Sequence, residues 1–377
     1  MSFYKKKQCN PDCIFNSKTV NSSTIDTFPS SCRTVCADIY IDRKWDLTED
    51  QLTSLFKNMK VLIGRLGLYN TSHTSLKFMA GLESIECDDN GMFHIDENAQ
   101  LIELGLLNMT SISCPEFNIW YNDKLEKLNT PNWRVIETPK NTTRGPNLSI
   151  AGNSLKFCLT TREMRMFMHT NENYYFGAIF CEPVFDEKLC NAPKIGCLEI
   201  FGDVEITQNT NLEAFKSVEI IYGSLNVSGT NLTDFRFLES LEYMAQLYEK
   251  PALFIENNPN LINITFPKLK KIRSRSDKQV SFVNNNKILS EDLKICTGFS
   301  ENMKKTMVFG DSAMTINGET CSEMKKRIND HNQGKLSRDY ESSTSAALFI
   351  CFVLINLFVF YEKIFELIRN RNNHEDM

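Results

Sequence analysis

Cysteine is the side chain with the widest chemistry in this sequence, and there are 13 in 377 residues. The first four fall as Cys9-x-x-x-Cys13 and Cys32-x-x-x-Cys36, a pattern with neither the histidines nor the tight Cys-x-x-Cys pairs of a zinc site. Cys351 lies in an apolar run, so the remainder is an even number available for pairing. Disulfides are the expected chemistry, and they place the chain outside the reducing cytosol. Eight Asn-x-Ser/Thr sequons point to the same compartment as glycosylation acceptors: Asn21, Asn70, Asn108, Asn141, Asn147, Asn226, Asn231 and Asn263. Their weight is small, because a chain this rich in Asn, Ser and Thr carries roughly five such triplets by chance. No metal or cofactor is expected.

These residues act only where a scaffold puts them, and the scaffold is visible as a repeat. Residues 93–112 recur at 253–272 without a gap, every position displaced by 160. The first copy carries Phe93, Ile95, Asn98, Leu101, Leu104, Leu106, Met109 and Ile112; the second carries Leu253, Ile255, Asn258, Leu261, Ile264, Phe266, Leu269 and Ile272. Phe93 and Ile95 alternate with His94 and Asp96, which is strand periodicity, and the Asn three residues on marks a turn. Apolar residues then return every two to three positions, so one turn of chain can point them all inward. That is one rung of a solenoid.

Neighbouring rungs carry the same signature. Phe117, Ile119, Asn122 and Leu125 repeat it, as do Val204, Ile206, Asn209 and Leu212, and Val280, Phe282, Asn285 and Ile288. Leu225, Val227 and Leu232 follow one residue short; Leu66, Leu68 and Leu76 keep the strand, and Leu148, Ile150 and Asn153 match loosely. Stacking several rungs closes a core that one cannot.

Over roughly residues 32–323 the ordered motifs resemble the receptor L domain of insulin- and EGF-type receptor ectodomains. They are Ile63-Gly64-x-Leu66-x-Leu68, Ile221-Tyr222-Gly223-x-Leu225-x-Val227, Phe237-Leu238-x-x-Leu241 and Ile255-x-x-Asn258-x-x-Leu261. The resemblance implies a β-solenoid fold: two short right-handed β-helices with capping helices, binding a protein ligand. The long cysteine-rich module that those receptors carry between their L domains has no counterpart here; only residues 181–197, with Cys181, Cys190 and Cys197, intervene.

The expected organisation is a cysteine-containing leader at 1–31, a first L domain at 32–182, a second at 183–323, a polar stalk at 324–344, a transmembrane helix at 345–361 and a short cytoplasmic tail at 362–377. Capping boxes at Thr48-x-x-Gln51 and Thr160-x-x-Glu163 open helices. The apolar run from Ala346 to Phe360 is short, since about 17 residues span roughly 25 Å against a hydrocarbon core of about 30 Å. Lys5, Lys6 and Lys7 are followed by no apolar signal segment. The disulfides therefore set the orientation, with the N-terminal region extracellular at the plasma membrane.

Stacking brings Cys87 and Cys114 to neighbouring rungs, each two residues past a rung-ending isoleucine, about 4.8 Å apart. Cys158 with Cys181 and Cys296 with Cys321 each follow a Leu-Lys-x-Cys pattern. Cys190 with Cys197 is then left, and the four N-terminal cysteines pair among themselves. If Leu66, Leu68, Phe93, Ile95, Phe117 and Ile119 point inward, the outward stripe of the first solenoid reads Tyr40, Tyr69, His94, Asp96, Asn118 and Trp120. Exposed aromatics of this kind are enriched at binding hot spots, which makes the stripe the candidate ligand surface. The second solenoid shows Glu205, Thr207, Asn226, Ser228, Phe254, Glu256 and Ser281 instead, with a sequon at Asn226.

The function these residues support is that of a non-catalytic cell-surface protein binding an extracellular polypeptide, either a ligand or a receptor ectodomain, as modulator, co-receptor or decoy. A net charge of −5 gives no ground for a nucleic-acid partner. Two other readings compete with it. A tail-anchored intracellular scaffold requires free thiols and no glycans. A carbohydrate-active β-helix enzyme requires carboxylates on adjacent rungs, and Asp96 has none at the matching places.

Overall fold

Two short strands per rung build the structure, a computed structural model describing residues 3–139, 147–170, 173–304 and 310–332. In the first half, one wall is made by Ile14–Phe15, Thr34–Ala37, Val61–Ile63, Ser84–Glu86, Ser111–Ser113 and Val135–Glu137. The other wall is made by Ile39–Asp42, Leu66–Tyr69, Met92–Asp96, Glu116–Trp120, Asn147–Ala151 and Asn173–Phe176. The second half repeats the plan with two five-stranded walls. All pairings between these strands are parallel. Many-stranded parallel ladders joined by short turns are the solenoid arrangement read from the repeat.

Register shows why the apolar spacing matters. Ile39, Leu66, Phe93, Phe117 and Leu148 are paired in one row, and Ile41, Leu68, Ile95, Ile119 and Ile150 in the next. All ten side chains are buried, and the Phe93 and Phe117 rings stack with centroids 4.9 Å apart. A slip of one residue would turn each row to solvent.

The corner between the two walls explains the motif glycines. Gly64 has φ +139°, and a Cβ there would lie 1.9 Å from the Ala37 carbonyl oxygen; at Gly223 it would lie 2.2 Å from the Gly202 oxygen. The backbone of the preceding rung occupies the space a side chain would need.

The recurring Asn is more than a turn former. Asn98 Nδ2 donates to the Leu68 oxygen at 3.1 Å and the Asp96 oxygen at 2.9 Å, while its Oδ1 accepts from Thr71 N and Oγ1. Asn122 repeats this one rung on: Nδ2 donates to Ile95 and Trp120 oxygens, and Oδ1 accepts from Asn98 N at 3.0 Å. Asn153 continues the series to Asn122 N and the Ile119 oxygen. In the second half Thr230, Asn258 and Asn285 form the same ladder. Asn209, which fits the spacing, is exposed and stands outside it; its rung closes instead with Thr210 Oγ1 accepting from Thr207 N.

The N-terminal segment differs from a separate stapled leader. Phe15, Val20 and Phe28 are buried in the core, and Ile14–Phe15 extends the first wall by pairing with Cys36 and Ala37. Apolar side chains in that segment cover the end of the stack, so it belongs to the solenoid. Glu49–Phe56 and Thr161–His169 are helices with complete capping boxes. Met164, Phe167 and Met168 of the latter are buried in the core. Its Arg165 is ion-paired with Glu199 and, at 3.6 Å, with Glu219. That helix therefore joins the two halves, and the apolar core continues through Leu189, Ile220, Tyr222 and Tyr243.

Met1–Gly318 makes one compact unit. Within the remainder, Cys321–Asn332 is a helix in which Arg327 pairs with Glu319 at 2.9 Å. All twelve cysteines among the described residues are disulfide-bonded. Cys87 joins Cys114 with Cα atoms 4.8 Å apart, Cys158 joins Cys181 at 4.8 Å, and Cys190 joins Cys197 at 6.2 Å. The N-terminal pairs are Cys9 with Cys36 and Cys13 with Cys32. Cys296 and Cys321 are both oxidised as well. The expected stalk at 324–344 begins instead within the helix Cys321–Asn332, where Met324 is buried; residues 333–344, the expected span at 345–361, its flanking tail at 362–377, Cys351, and the sequon at Asn141 lie outside the described residues. Among those described, no helix is long and apolar enough to cross a membrane.

Candidate functional site

Strand register sorts the outward side chains of the first half into two rows. One row runs Tyr40, Gly67, His94, Asn118 and Ser149; the other runs Asp42, Tyr69, Asp96, Trp120 and Ala151. The expected stripe is thus a contiguous patch rather than scattered positions. Its residues are held by rigid strands, which suits a binding surface.

The patch packs against itself more than strand alternation alone predicts. Gly67 lacks a side chain, and the Tyr40 ring lies in its place: a Cβ on Gly67 would stand 2.6 Å from Tyr40 Cδ1. Trp120 Nε1 donates to Ser149 Oγ at 2.8 Å, while its ring meets His94 edge-on with centroids 5.5 Å apart. Asn118 sits between His94 and Ser149 in the row, so the indole spans it and leaves it 5% exposed. Asn118, expected as a ligand contact, is instead roofed by Trp120. Asp96 is also buried, at 8% exposure. Tyr40, His94 and Trp120 are half-buried, and Tyr69 is open at 47%.

Electrostatics in the patch are dominated by carboxylates. Burial pushes the Asp96 carboxyl above its ordinary range; neighbouring Glu97 adds to the rise and His94 opposes it. His94 Nε2 stands 3.6 Å from Asp96 Oδ2. The other oxygen, Asp96 Oδ1, has no hydrogen-bond partner among the described residues. Tyr69 is hydrogen-bonded to Glu97, which raises the phenol because ionising it would place two negative charges together.

One residue of this surface escaped the sequence pattern. Tyr121 is 60% exposed, directly after Trp120. It has φ +51°, and its ring covers Gly152. The corner that the Asn ladder imposes makes each preceding residue left-handed: Glu97, Tyr121 and Gly152 here, Asn257 and Asn284 in the second half. Asn and Gly tolerate that conformation, whereas a bulky aromatic there is uncommon. The signal was present in the sequence as the residue before each ladder Asn.

The second half offers an internal comparison on the same scaffold. Its outward row reads Glu205, Asn226, Phe254, Ser281 and Thr315, followed by Ser228, Glu256 and Val283 in the next. Phe254 is the lone aromatic of these positions, and Thr315 is buried. Asn226 is half-buried, and its Oδ1 makes no hydrogen bond among the described residues.

Residues 196–300 match the family model described as the receptor L domain. Protein irld-34 of Caenorhabditis elegans is 20% identical over 270 residues, covering 66% of this chain. The chain spans 62% of that relative's length.

Proposed function

We propose, because residues 196–300 match the receptor L-domain model, that the chain is a non-catalytic, receptor-like surface protein with two such domains, the first of which holds an extracellular polypeptide on its outer sheet. The carrying observation is the asymmetry between two copies of one scaffold. Tyr69 and Tyr121 are exposed on the first sheet with Trp120 half-buried beside them, and polar or small residues take most of the matching places in the second. Aromatics on rigid strands contribute contact area at little entropic cost, which is what a protein-binding face requires. In this reading residues 345–361 anchor the chain in the plasma membrane, and the chain modulates, assists or sequesters its ligand.

The bonded state of the cysteines favours an extracytosolic site over an intracellular scaffold. The rows also disfavour glycoside chemistry: Asp96 is flanked by Tyr69 and Trp120, so no second carboxylate stands at the matching place on an adjacent rung. The test is selection of a phage-displayed random dodecapeptide library on the purified full chain, followed by binding to Tyr69→Ala, His94→Ala and Trp120→Ala variants. Loss of at least tenfold in affinity on the Tyr69 and Trp120 variants is expected for most clones. Clones that map to Glu205, Phe254 or Glu256 instead would refute the assignment.

A further inference from the structure

We propose that the rim of this patch, formed by Tyr69, Asp96, Glu97, Trp120 and Tyr121, accepts a cationic side chain, arginine or lysine, from the polypeptide ligand. The inference rests on the first sheet being the ligand face and adds the chemistry of the group it takes. Backbone hydrogen bonds fix the rim: Asn70 N donates to the Asp96 oxygen, Glu97 N to the Trp120 oxygen and Tyr121 N to the Ala151 oxygen, at 3.0 to 3.1 Å. Glu97 is thereby stacked between Asn70 and Tyr121, with Asp96 beside it in the outward row. Two carboxylates and the exposed side chains of Tyr69 and Tyr121 thus lie on neighbouring positions of one edge.

Charge complementarity then selects the partner. Asp96 is buried at 8% exposure, with Oδ1 lacking a donor among the described residues. Buried acceptors are costly to leave unmatched, and a charged donor matches a carboxylate best. Glu97 is tied to Tyr69 but retains further acceptor capacity. Tyr69 and Tyr121 supply ring faces, over which a guanidinium or ammonium is attracted by the quadrupole. Tyr121 also occupies a left-handed corner where Gly152, Asn257 and Asn284 stand in other rungs. The matching rim of the second half carries Glu256 beside Asn257 and Asn284, without an aromatic.

The same library separates this inference from the reading beneath it. Among clones weakened tenfold by Tyr69→Ala or Trp120→Ala, each is expected to contain an Arg or Lys whose replacement by Gln costs at least tenfold in affinity. On a Glu97→Gln or Tyr121→Ala background that same peptide substitution should cost less than threefold, because its partner is already gone. Glu256→Gln should leave binding unchanged. Clones that map to the first sheet but carry no required cation, or whose cation matters equally on the Glu97→Gln background, would overturn the cationic assignment and leave the ligand face standing. Clones mapping only elsewhere would remove both.

Discussion

Replacing Asn122 with Ala tests whether the stacked Asn ladder stabilises the solenoid. Asn122 is fully buried. Truncation removes the donor to the Ile95 and Trp120 oxygens and the acceptor for Asn98 N. The Trp120 oxygen keeps Glu97 N, the Ile95 oxygen stays in the parallel ladder with Glu116–Trp120, and Asn98 Nδ2 keeps the Leu68 and Asp96 oxygens, so Asn98 N bears the loss. At about 1–3 kcal/mol for a buried group left unmatched, Asn122→Ala should cost about 1–3 kcal/mol. Asn153→Ala removes an equivalent set, to Ile119 and Asn122. Its site is half-exposed, so water can replace the lost bonds and the cost should be nearer about 1 kcal/mol. Asn122→Asp keeps the acceptor but loses the donors and buries a charge, so it should be no milder than Ala. Urea unfolding at constant m reads all three. Equal costs for Asn122→Ala and Asn153→Ala, both near 1 kcal/mol, would refute the view that buried stacking is what the Asn provides.

Two further perturbations address the scaffold. Gly64→Ala forces a Cβ to 1.9 Å from the Ala37 oxygen and should destabilise by more than about 3 kcal/mol, measured as a lowered urea midpoint, whereas Gly81→Ala, with only ordinary contacts nearby, should cost no more than about 1 kcal/mol. His73, packed against Trp45 and Phe78, is pushed down by burial from 6.5 to about 4. The unfolded imidazole takes up a proton that the folded one refuses, so this contribution is complete above pH 6.5 and is lost as pH falls toward 4. His73→Phe should flatten the pH dependence of stability across that window, and an unchanged slope would refute the burial effect.

Much of the fold was legible because a solenoid writes its core into local spacing. Phe93 and Ile95 alternate with outward residues, and each pairs with the same position of the next rung, so one correctly read rung constrains its neighbours. The Cys87–Cys114 disulfide is legible for the same reason, as both cysteines follow a rung-ending isoleucine. Residues 9–36 were harder, because their Asn, Ser and Thr content hid Phe15, Val20 and Phe28, which enter the core without any repeat spacing. The role of the Asn was also partly hidden. A turn can be inferred from one rung, but a ladder exists only between rungs, and Asn209 carries the spacing without the bonds.

The candidate site was legible in direction but not in availability. Period-2 alternation states which way a side chain leaves the sheet; it does not state where the chain comes to rest. Tyr40 leaves outward and then lies over Gly67, the one position of its row without a side chain. Trp120 leaves outward and then reaches sideways, because Ser149 on the next rung offers an acceptor for the indole N–H. That contact covers Asn118 and converts an expected ligand residue into a supporting one. Both displacements depend on residues about 27 to 29 positions away, a separation no local pattern reports. Tyr121 shows the converse, since its exposure follows from the corner conformation that the adjacent Asn122 imposes. A binding surface on such a sheet is therefore set as much by the glycines and corners that let aromatics move as by the aromatics themselves.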